Sequence, residues 1–294
     1  MTARMLVALE EELLERKPDA LLVYGDTNST LAGALTAAKL NVPVIHVEAG
    51  VRTRSPASPE EVNRVCADHV AGLLLACTQA SLENLRSEGL GGRSLFVGDP
   101  MFDAFVRFGA RSVRPVPQSV LDGSRREVPP VFYYATCHRA ENTSDDEALE
   151  SLLDALSRLD LPVVYPVHLR SRARVMRLAA EMDVSNVLLC EPVGYLESIW
   201  LVSYAVQVIT DSGGLQREAF FAAVKCTTLL DFAVWPETMV ENRNVLAKPT
   251  YASITEAMSL TQRVDPAYRP FGDGRAASRI ADCLESFVEA GGRL

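Results

Sequence analysis

Three carboxylates sit where α/β proteins do acid–base chemistry, directly after or beside apolar runs that read as buried strands. Asp26 follows the run 20–24, Glu48 closes the run 44–47, and Glu60 opens a helix behind Pro59. Carboxylates gathered near one sheet edge raise one another's pKa and so divide acid and base roles. Two of the three also have plainer readings. Asp26 fits a cap for the helix that starts near Ser29. Glu60 and Glu61 fit the positive end of a helix dipole. Glu48 resists such a reading, because a Glu at the end of an apolar strand needs a partner or a task.

A second group lies further along the chain. His138 and Arg139 follow the strand-like run 131–136, and His168 follows the run 162–167. An imidazole and a guanidinium at strand ends suit a base contact and a phosphate contact. The run 205–209 leads into Thr210-Asp211-Ser212-Gly213-Gly214 and then a helical pattern. Glycines let backbone N–H groups approach an anion, and the helix start adds partial positive charge. The turn therefore suits a phosphate, although an ordinary strand-to-helix turn has the same pattern. Glu218, one helical turn past Gly214, suits a pair of ribose hydroxyls. The four histidines and six cysteines show no metal-ligand spacing, so no metal site is expected. No GxGxxG, GxSxG or P-loop lysine pattern is present.

The elements that must position these groups alternate. A helix over 2–16 is followed by strands at 20–24, 44–47, 73–77 and 94–97, with helices at 29–40, 59–70, 81–88 and 100–108. A second series has strands at 131–136, 162–167, 186–190, 205–210 and 226–230, and a short one at 244–247. Its helices span 145–159, 171–182, 195–203 and 214–223. This rhythm specifies parallel sheets with crossover helices. The fold class is α/β, with two Rossmann-like doubly wound domains facing a cleft. The segment 111–130, rich in Pro, Ser and Arg, reads as the connection between them. The expected domains are 1–110, carrying the carboxylates, and 130–275. The amphipathic helix 276–290 is expected to pack back on the first.

Composition narrows the function. Of 294 residues, 48% are hydrophobic and 23% charged, which suits a protein with a sizeable core. A net charge of −9 argues against nucleic acid as a partner. The cysteines are scattered, and most lie in apolar runs, so they read as buried free thiols in a reducing cytoplasm. Residues 1–14 carry Glu10, Glu11 and Glu12, which suits neither a signal peptide nor a membrane span, and no membrane partner is expected.

Taken together, several motifs resemble the non-hydrolysing UDP-N-acetylglucosamine 2-epimerases. They are Gly25-Asp26-Thr27, His46-Val47-Glu48-Ala49-Gly50-x-Arg52, Pro59-Glu60-Glu61-x-Asn63-Arg64, His138-Arg139-Ala140-Glu141-Asn142, Tyr165-Pro166-Val167-His168, Asp211-Ser212-Gly213-Gly214-x-Gln216-x-Glu218-Ala219 and Gly272-Asp273-Gly274-x-Ala276. The short Glu48-to-Glu60 spacing and Trp235-Pro236-Glu237 are similar to the branch with archaeal enzymes and 2,3-diacetamido-sugar epimerases. The resemblance implies a fold of the glycosyltransferase-B type, a UDP-sugar substrate, no cofactor and a homodimer. It implies inversion at C2 of UDP-GlcNAc to UDP-ManNAc, by elimination of UDP to a 2-acetamidoglucal and re-addition. By this likeness Asp26, Glu48, Glu60 and His138 are the catalytic candidates. Arg52, Arg139, Glu141, His168, Ser212, Gly213, Gly214, Gln216 and Glu218 are the substrate-binding ones.

The sequence also departs from that family's pattern. The family opens with a strand and a Gly-Thr-Arg-Pro-Glu loop, so the first domain is expected to be truncated at its N-terminus. After Glu218, Ala222, Ala223 and Lys225 stand where the family has Leu, Gly and Pro. Leu230 replaces an Arg, and Asn242 a Gly. Two alternatives therefore stand beside an active epimerase. One is a paralogue that binds a UDP-sugar or a partner subunit without turnover. The other is a hydrolysing epimerase or glycosyltransferase on the same fold.

Overall fold

The computed structural model describes residues 1–54, 58–143 and 145–292, with the side chains of Ala140 and Glu141 outside that description. The chain forms two compact units, Met1–Ala104 with Ala267–Leu294, and Phe105–Pro266.

The first unit begins with α1 (Thr2–Arg16). The helix stops at Lys17, whose left-handed backbone N–H bonds the Leu13 carbonyl. Next come β1 (Leu21–Tyr24), α2 (Asn28–Lys39) and β2 (Val44–Val47). The buried face of α2 is made of small residues, Ala32, Gly33, Ala34 and Ala37. They let the helix lie close on the strands: a Cβ added at Gly33 would come 3.2 Å from Val23. The unit continues with α3 (Pro59–Val70), β3 (Leu73–Ala76), α4 (Gln79–Ser87) and β4 (Ser94–Phe96). Ser58 caps α3 with Pro59 in its first turn, and Thr78 caps α4. The sheet is parallel throughout, in the order β1-β2-β3-β4. Its fully buried β2 and β3 explain their continuous apolar runs. Helix α5 (Pro100–Gly109) leads into the second unit.

The second unit contains β5 (Tyr133–Thr136), α6 (Ala140–Thr143), α7 (Asp146–Ser157), β6 (Val163–Pro166), α8 (Arg172–Ala179) and β7 (Val187–Cys190). It continues with α9 (Tyr195–Tyr204), β8 (Gln207–Thr210), α10 (Gly213–Phe221), β9 (Lys225–Thr228), β10 (Asn244–Leu246) and α11 (Tyr251–Ser259). All strands are parallel, in the order β10-β9-β8-β5-β6-β7. From β5 the chain runs outward through β6 and β7, then returns to β8 and runs the other way. The strand order thus reverses between β5 and β8, and ligands of such sheets bind outside the strand ends at that reversal.

Segment 111–130 is not a free connection, as its composition suggests, but part of the second unit. Its backbone follows the edge strand β7: Ser119 bridges Cys190, and the Val120 N–H donates to Leu189 O at 3.0 Å. Val120 and Val128 are buried. Two valines and an edge ladder hold it, while the prolines and arginines around them hide the pattern. Helix α12 (Ala276–Glu289) returns to the first unit. Its Ile280 and Phe287 join Ile45, Val47, Leu73 and Leu75 in one apolar cluster. A Cβ on Gly72 would stand 3.0 Å from the Phe287 ring, so glycine there makes room for it. Among the cysteines, Cys66 is exposed rather than buried. Among the described residues, no helix is long and apolar enough to cross a membrane.

The unusual residues after Glu218 have distinct local consequences. Ala223 follows α10 with φ 57°, and Val224 N–H bonds Ala219 O at 2.9 Å in the manner of a left-handed helix stop. Asn242 likewise has φ 55°, a conformation Asn tolerates better than most residues. Lys225 reaches the end of α11, where its Nζ donates to the carbonyls of Ala257, Met258 and Leu260. A Cβ in the left-handed region costs about 1 kcal/mol. Ala223→Gly is therefore expected to stabilise the protein by about that amount, read from urea unfolding. An unchanged or lower midpoint would contradict the strain.

Candidate functional site

At the strand-order reversal of the second unit, the ends of β5 and β8 are tied side by side. The Thr136 and Thr210 hydroxyls are 2.7 Å apart. Asp211, fully buried, follows β8 and collects donors from the turn after β5. The His138 N–H lies 3.0 Å and the Arg139 N–H 2.8 Å from its Oδ2. The Cys137 thiol at 3.1 Å and Asn142 Nδ2 at 3.2 Å complete the set. This is how a buried carboxylate is made tolerable. It also orients His138, whose Nδ1 is 3.3 Å from Asp211 Oδ1. The His168 ring stacks at 5.8 Å from that of His138. Burial, Arg170 and His138 hold the His168 pKa below its ordinary value. Its Nδ1 accepts the Arg170 N–H at 3.2 Å, so the hydrogen of the neutral ring is on Nε2.

Ser212 caps α10, its hydroxyl accepting from Leu215 N. Gly213 and Gly214 form the first turn. A Cβ built on Gly213 would meet only ordinary contacts, Trp235 Nε1 at 3.7 Å and Gln216 Nε2 at 3.8 Å. The protein's own packing therefore does not demand a glycine there, whereas a ligand held against the backbone would. Gln216 is fully buried, and its Oε1 accepts from Asn244 Nδ2 at 3.1 Å. Its Nε2 has no hydrogen-bond partner among the described residues. Glu218 is buried at the second turn of α10. Burial pushes its carboxyl up to about 7, against the Tyr195 hydroxyl and Arg217, which favour the ionised form.

The first unit gathers its carboxylates as expected of a sheet edge. Asp26 follows β1 and pairs with Arg64 of α3. Thr27, not Asp26, caps α2. Burial raises the Asp26 pKa above its usual range. Arg64 opposes this, while the neighbouring charges of Glu48 and Glu60 add to it. Glu48 has φ 69°, uncommon for a residue with a side chain, and lies beside Gly25. Glu60, exposed in the first turn of α3, accepts from the Ser58 hydroxyl at 2.9 Å. Asp26, Glu48 and Glu60 are thus brought into one electrostatic neighbourhood.

The remaining candidates have these surroundings. The Arg52 guanidinium donates to Glu88 at 2.7 and 2.8 Å, to Asp68 at 2.7 Å and to the Val51 carbonyl. Its side chain is 4% exposed. Gln216 belongs to a buried network with Asn244, Thr228 and Thr238, apart from its Nε2. Arg139 meets Asp211 through its backbone. The side chain of Glu141 lies outside the described residues. Sequence reasoning gave no role to His46, Arg64, Asp68 or Asp211. A histidine in a fully buried strand was the available signal for His46, since its ring nitrogens must find partners. Asn63, Arg64 and Asp68 were legible as the polar residues of one face of α3.

Two parallel α/β sheets, one with an anion-suited helix start at its strand-order reversal and the other with a carboxylate cluster, define the class of two-domain α/β proteins. Residues 1–285 match the family model described as UDP-N-acetylglucosamine 2-epimerase. The chain belongs to that family. It is 41% identical to the UDP-2,3-diacetamido-2,3-dideoxy-D-glucuronate 2-epimerase of Pseudomonas aeruginosa, over 97% of this chain and 79% of that protein. The Methanocaldococcus jannaschii UDP-GlcNAc 2-epimerase, solved in complex with UDP-GlcNAc and UDP, superposes with a TM-score of 0.82. Identity is 32%, over 97% of this chain and 80% of that one. The Neisseria meningitidis enzyme bound to UDP-GlcNAc gives 0.81 at 26% identity, over 97% and 81%. The fold is of the glycosyltransferase-B type.

Proposed function

We propose that the chain inverts C2 of a UDP-linked N-acetylhexosamine, interconverting the gluco and manno forms without net hydrolysis. The observation that carries this reading is the Ser212-Gly213-Gly214 turn at the strand-order reversal. There a glycine that the packing does not require stands beside the unpartnered buried amide of Gln216. These donors suit a diphosphate, and Glu218 suits the two ribose hydroxyls.

The reaction divides into two balanced steps. A carboxylate takes the C2 proton, the C1–O bond breaks, and UDP leaves with the bonding pair. A 2-acetamidoglucal remains. A proton is then delivered to the other face of C2 as the diphosphate oxygen re-forms the bond to C1. Backbone donors at Ser212–Gly214 stabilise the charge that grows on the leaving diphosphate. Asp26, with its raised pKa, suits the group that holds and returns a proton, and Glu48 and Glu60 complete the acid–base set. His138, oriented by Asp211, serves the nucleotide side. The steps are redox-neutral overall.

The supporting relatives name two sugars, N-acetylglucosamine and a 2,3-diacetamido uronate. Incubation with each UDP-sugar in deuterated water, followed by NMR, is expected to show deuterium at C2 and a second sugar nucleotide for one of them. Folded protein that exchanges neither would overturn the reading. Release of free sugar and UDP in step with turnover would favour a hydrolysing enzyme.

Nucleotide binding should also depend on pH. An ionised Glu218 accepts two hydroxyl hydrogens, and a protonated one has lost an acceptor site. Its carboxyl is raised to about 7, so binding strengthens as pH rises through that value. UDP-sugar affinity by calorimetry is expected to rise about tenfold between pH 6 and 8.5, in line with the ionised fraction. Glu218→Gln should flatten the profile. An equally steep profile in that variant would contradict the assignment.

A further inference from the structure

His46 is the one fully buried histidine among the described residues, and the chemistry above does not use it. It lies in β2. Its Nδ1 is 2.6 Å from Asp68 Oδ1 of α3, and its Nε2 is 2.8 Å from the Gly25 carbonyl at the end of β1. A carbonyl only accepts, so Nε2 carries a hydrogen. Burial alone would push the Asp68 carboxyl up, but its bonds to His46 and the Arg52 charge hold it below the usual range. One proton lies between Nδ1 and Asp68 Oδ1 and completes the pair. The ring thus clamps β2, α3 and the turn after β1 together.

What the clamp holds is the turn that carries Asp26. The carbonyls of Gly25 and Asp26 are each gripped by a distant side chain, by His46 Nε2 and by Asn63 Nδ2 at 2.8 Å. Gly25 has φ 63°, and its N–H reaches back to Val47 O at 3.1 Å. Beyond Val47 comes Glu48, also left-handed at φ 69°, with its N–H on Leu75 O. A Cβ on Gly25 would stand 3.9 Å from Glu48 Oε1. Two unusual turns, each bearing a carboxylate, thus lie side by side at the ends of β1 and β2. Within the described sheet β1 has a neighbour on one side only, so its ladder cannot fix this turn alone.

We propose that His46 is a positioning residue for the proton-transfer carboxylates: bound to Asp68, it holds the Gly25–Asp26 turn in register with Glu48. This rests on the proposed role of Asp26 and Glu48. The bond to the Gly25 carbonyl does the positioning, and the bond to Asp68 fixes the ring.

Two substitutions separate these bonds. The amide nitrogen of Gln can stand where Nε2 stands, and that of Asn where Nδ1 stands. His46→Asn is expected to lower kcat about a hundredfold, the scale of a misplacement near 1 Å. KM and UDP affinity should stay within about threefold, as for loss of an interaction used in the transition state. His46→Gln should keep kcat within about tenfold of the unsubstituted protein. Equal kcat values in the two variants, or loss of UDP affinity in step with kcat, would overturn the proposal. If His46→Asn does not fold, His46→Asn/Asp68→Asn replaces it, since that pair leaves no unmatched carboxylate. Amide hydrogen exchange at residues 25–28 gives a readout that needs no turnover. Exchange should quicken at least tenfold in the Asn variant and stay near the unsubstituted rate in the Gln variant, and equal rates would overturn the clamp. If the unsubstituted protein turns over neither UDP-sugar, the epimerase reading fails while the exchange comparison still decides the clamp.

Discussion

A carboxylate taken out of water must be surrounded by donors, and each unit of this protein has turned that requirement to use. Asp68 and Asp211 are both fully buried. Asp68 gathers His46, Arg52 and the Gly50 N–H. Asp211 gathers the backbone of His138 and Arg139, the Cys137 thiol and the Asn142 amide. Among these donors, Gly50 and Arg52 follow β2, and Cys137, His138 and Arg139 follow β5. The cost of burying the charge thus fixes the turns that carry the candidate groups. Removing either aspartate would free those turns and strand their donors.

The same constraint explains why the two clusters differ in character. Around Asp211 two of the donors are backbone N–H groups, which fix the path of the chain, and His138 is left partly exposed beside it. Around Asp68 the donors are mainly side chains, so what is fixed is the spacing of neighbouring strands. One arrangement suits holding an anion against a helix start. The other suits setting carboxylates close enough to feel each other, as Asp26 does.

Much of this was legible in the sequence. Apolar runs of four to six residues marked the strands, and the polar residues directly after them marked the candidate site. Strand ends are where a parallel sheet must place its chemistry. What was not legible was direction. Arg52 follows a strand as His138 does, yet it turns inward to Asp68 and Glu88. Gln216 lies in the same helical turn as the glycines, yet half of its amide belongs to Asn244. Pairs such as His46 with Asp68 and Arg139 with Asp211 span 22 and 72 positions, and no periodicity links them. Segment 111–130 misled for the opposite reason, since two buried valines outweigh a composition that reads as a linker. Three of the residues that depart from the family after Glu218 settle locally: Ala223 and Asn242 take left-handed conformations, and Lys225 caps a helix.

The central claim is that the turn after β8 is shaped for a diphosphate rather than for its own packing. Calorimetric titration of UDP into the unsubstituted protein and Gly213→Ala tests it most directly, with thermal melting of both as the control. The account predicts unchanged melting and at least a tenfold loss of UDP affinity, about 1.4 kcal/mol. Unchanged affinity in a folded Gly213→Ala protein would contradict it.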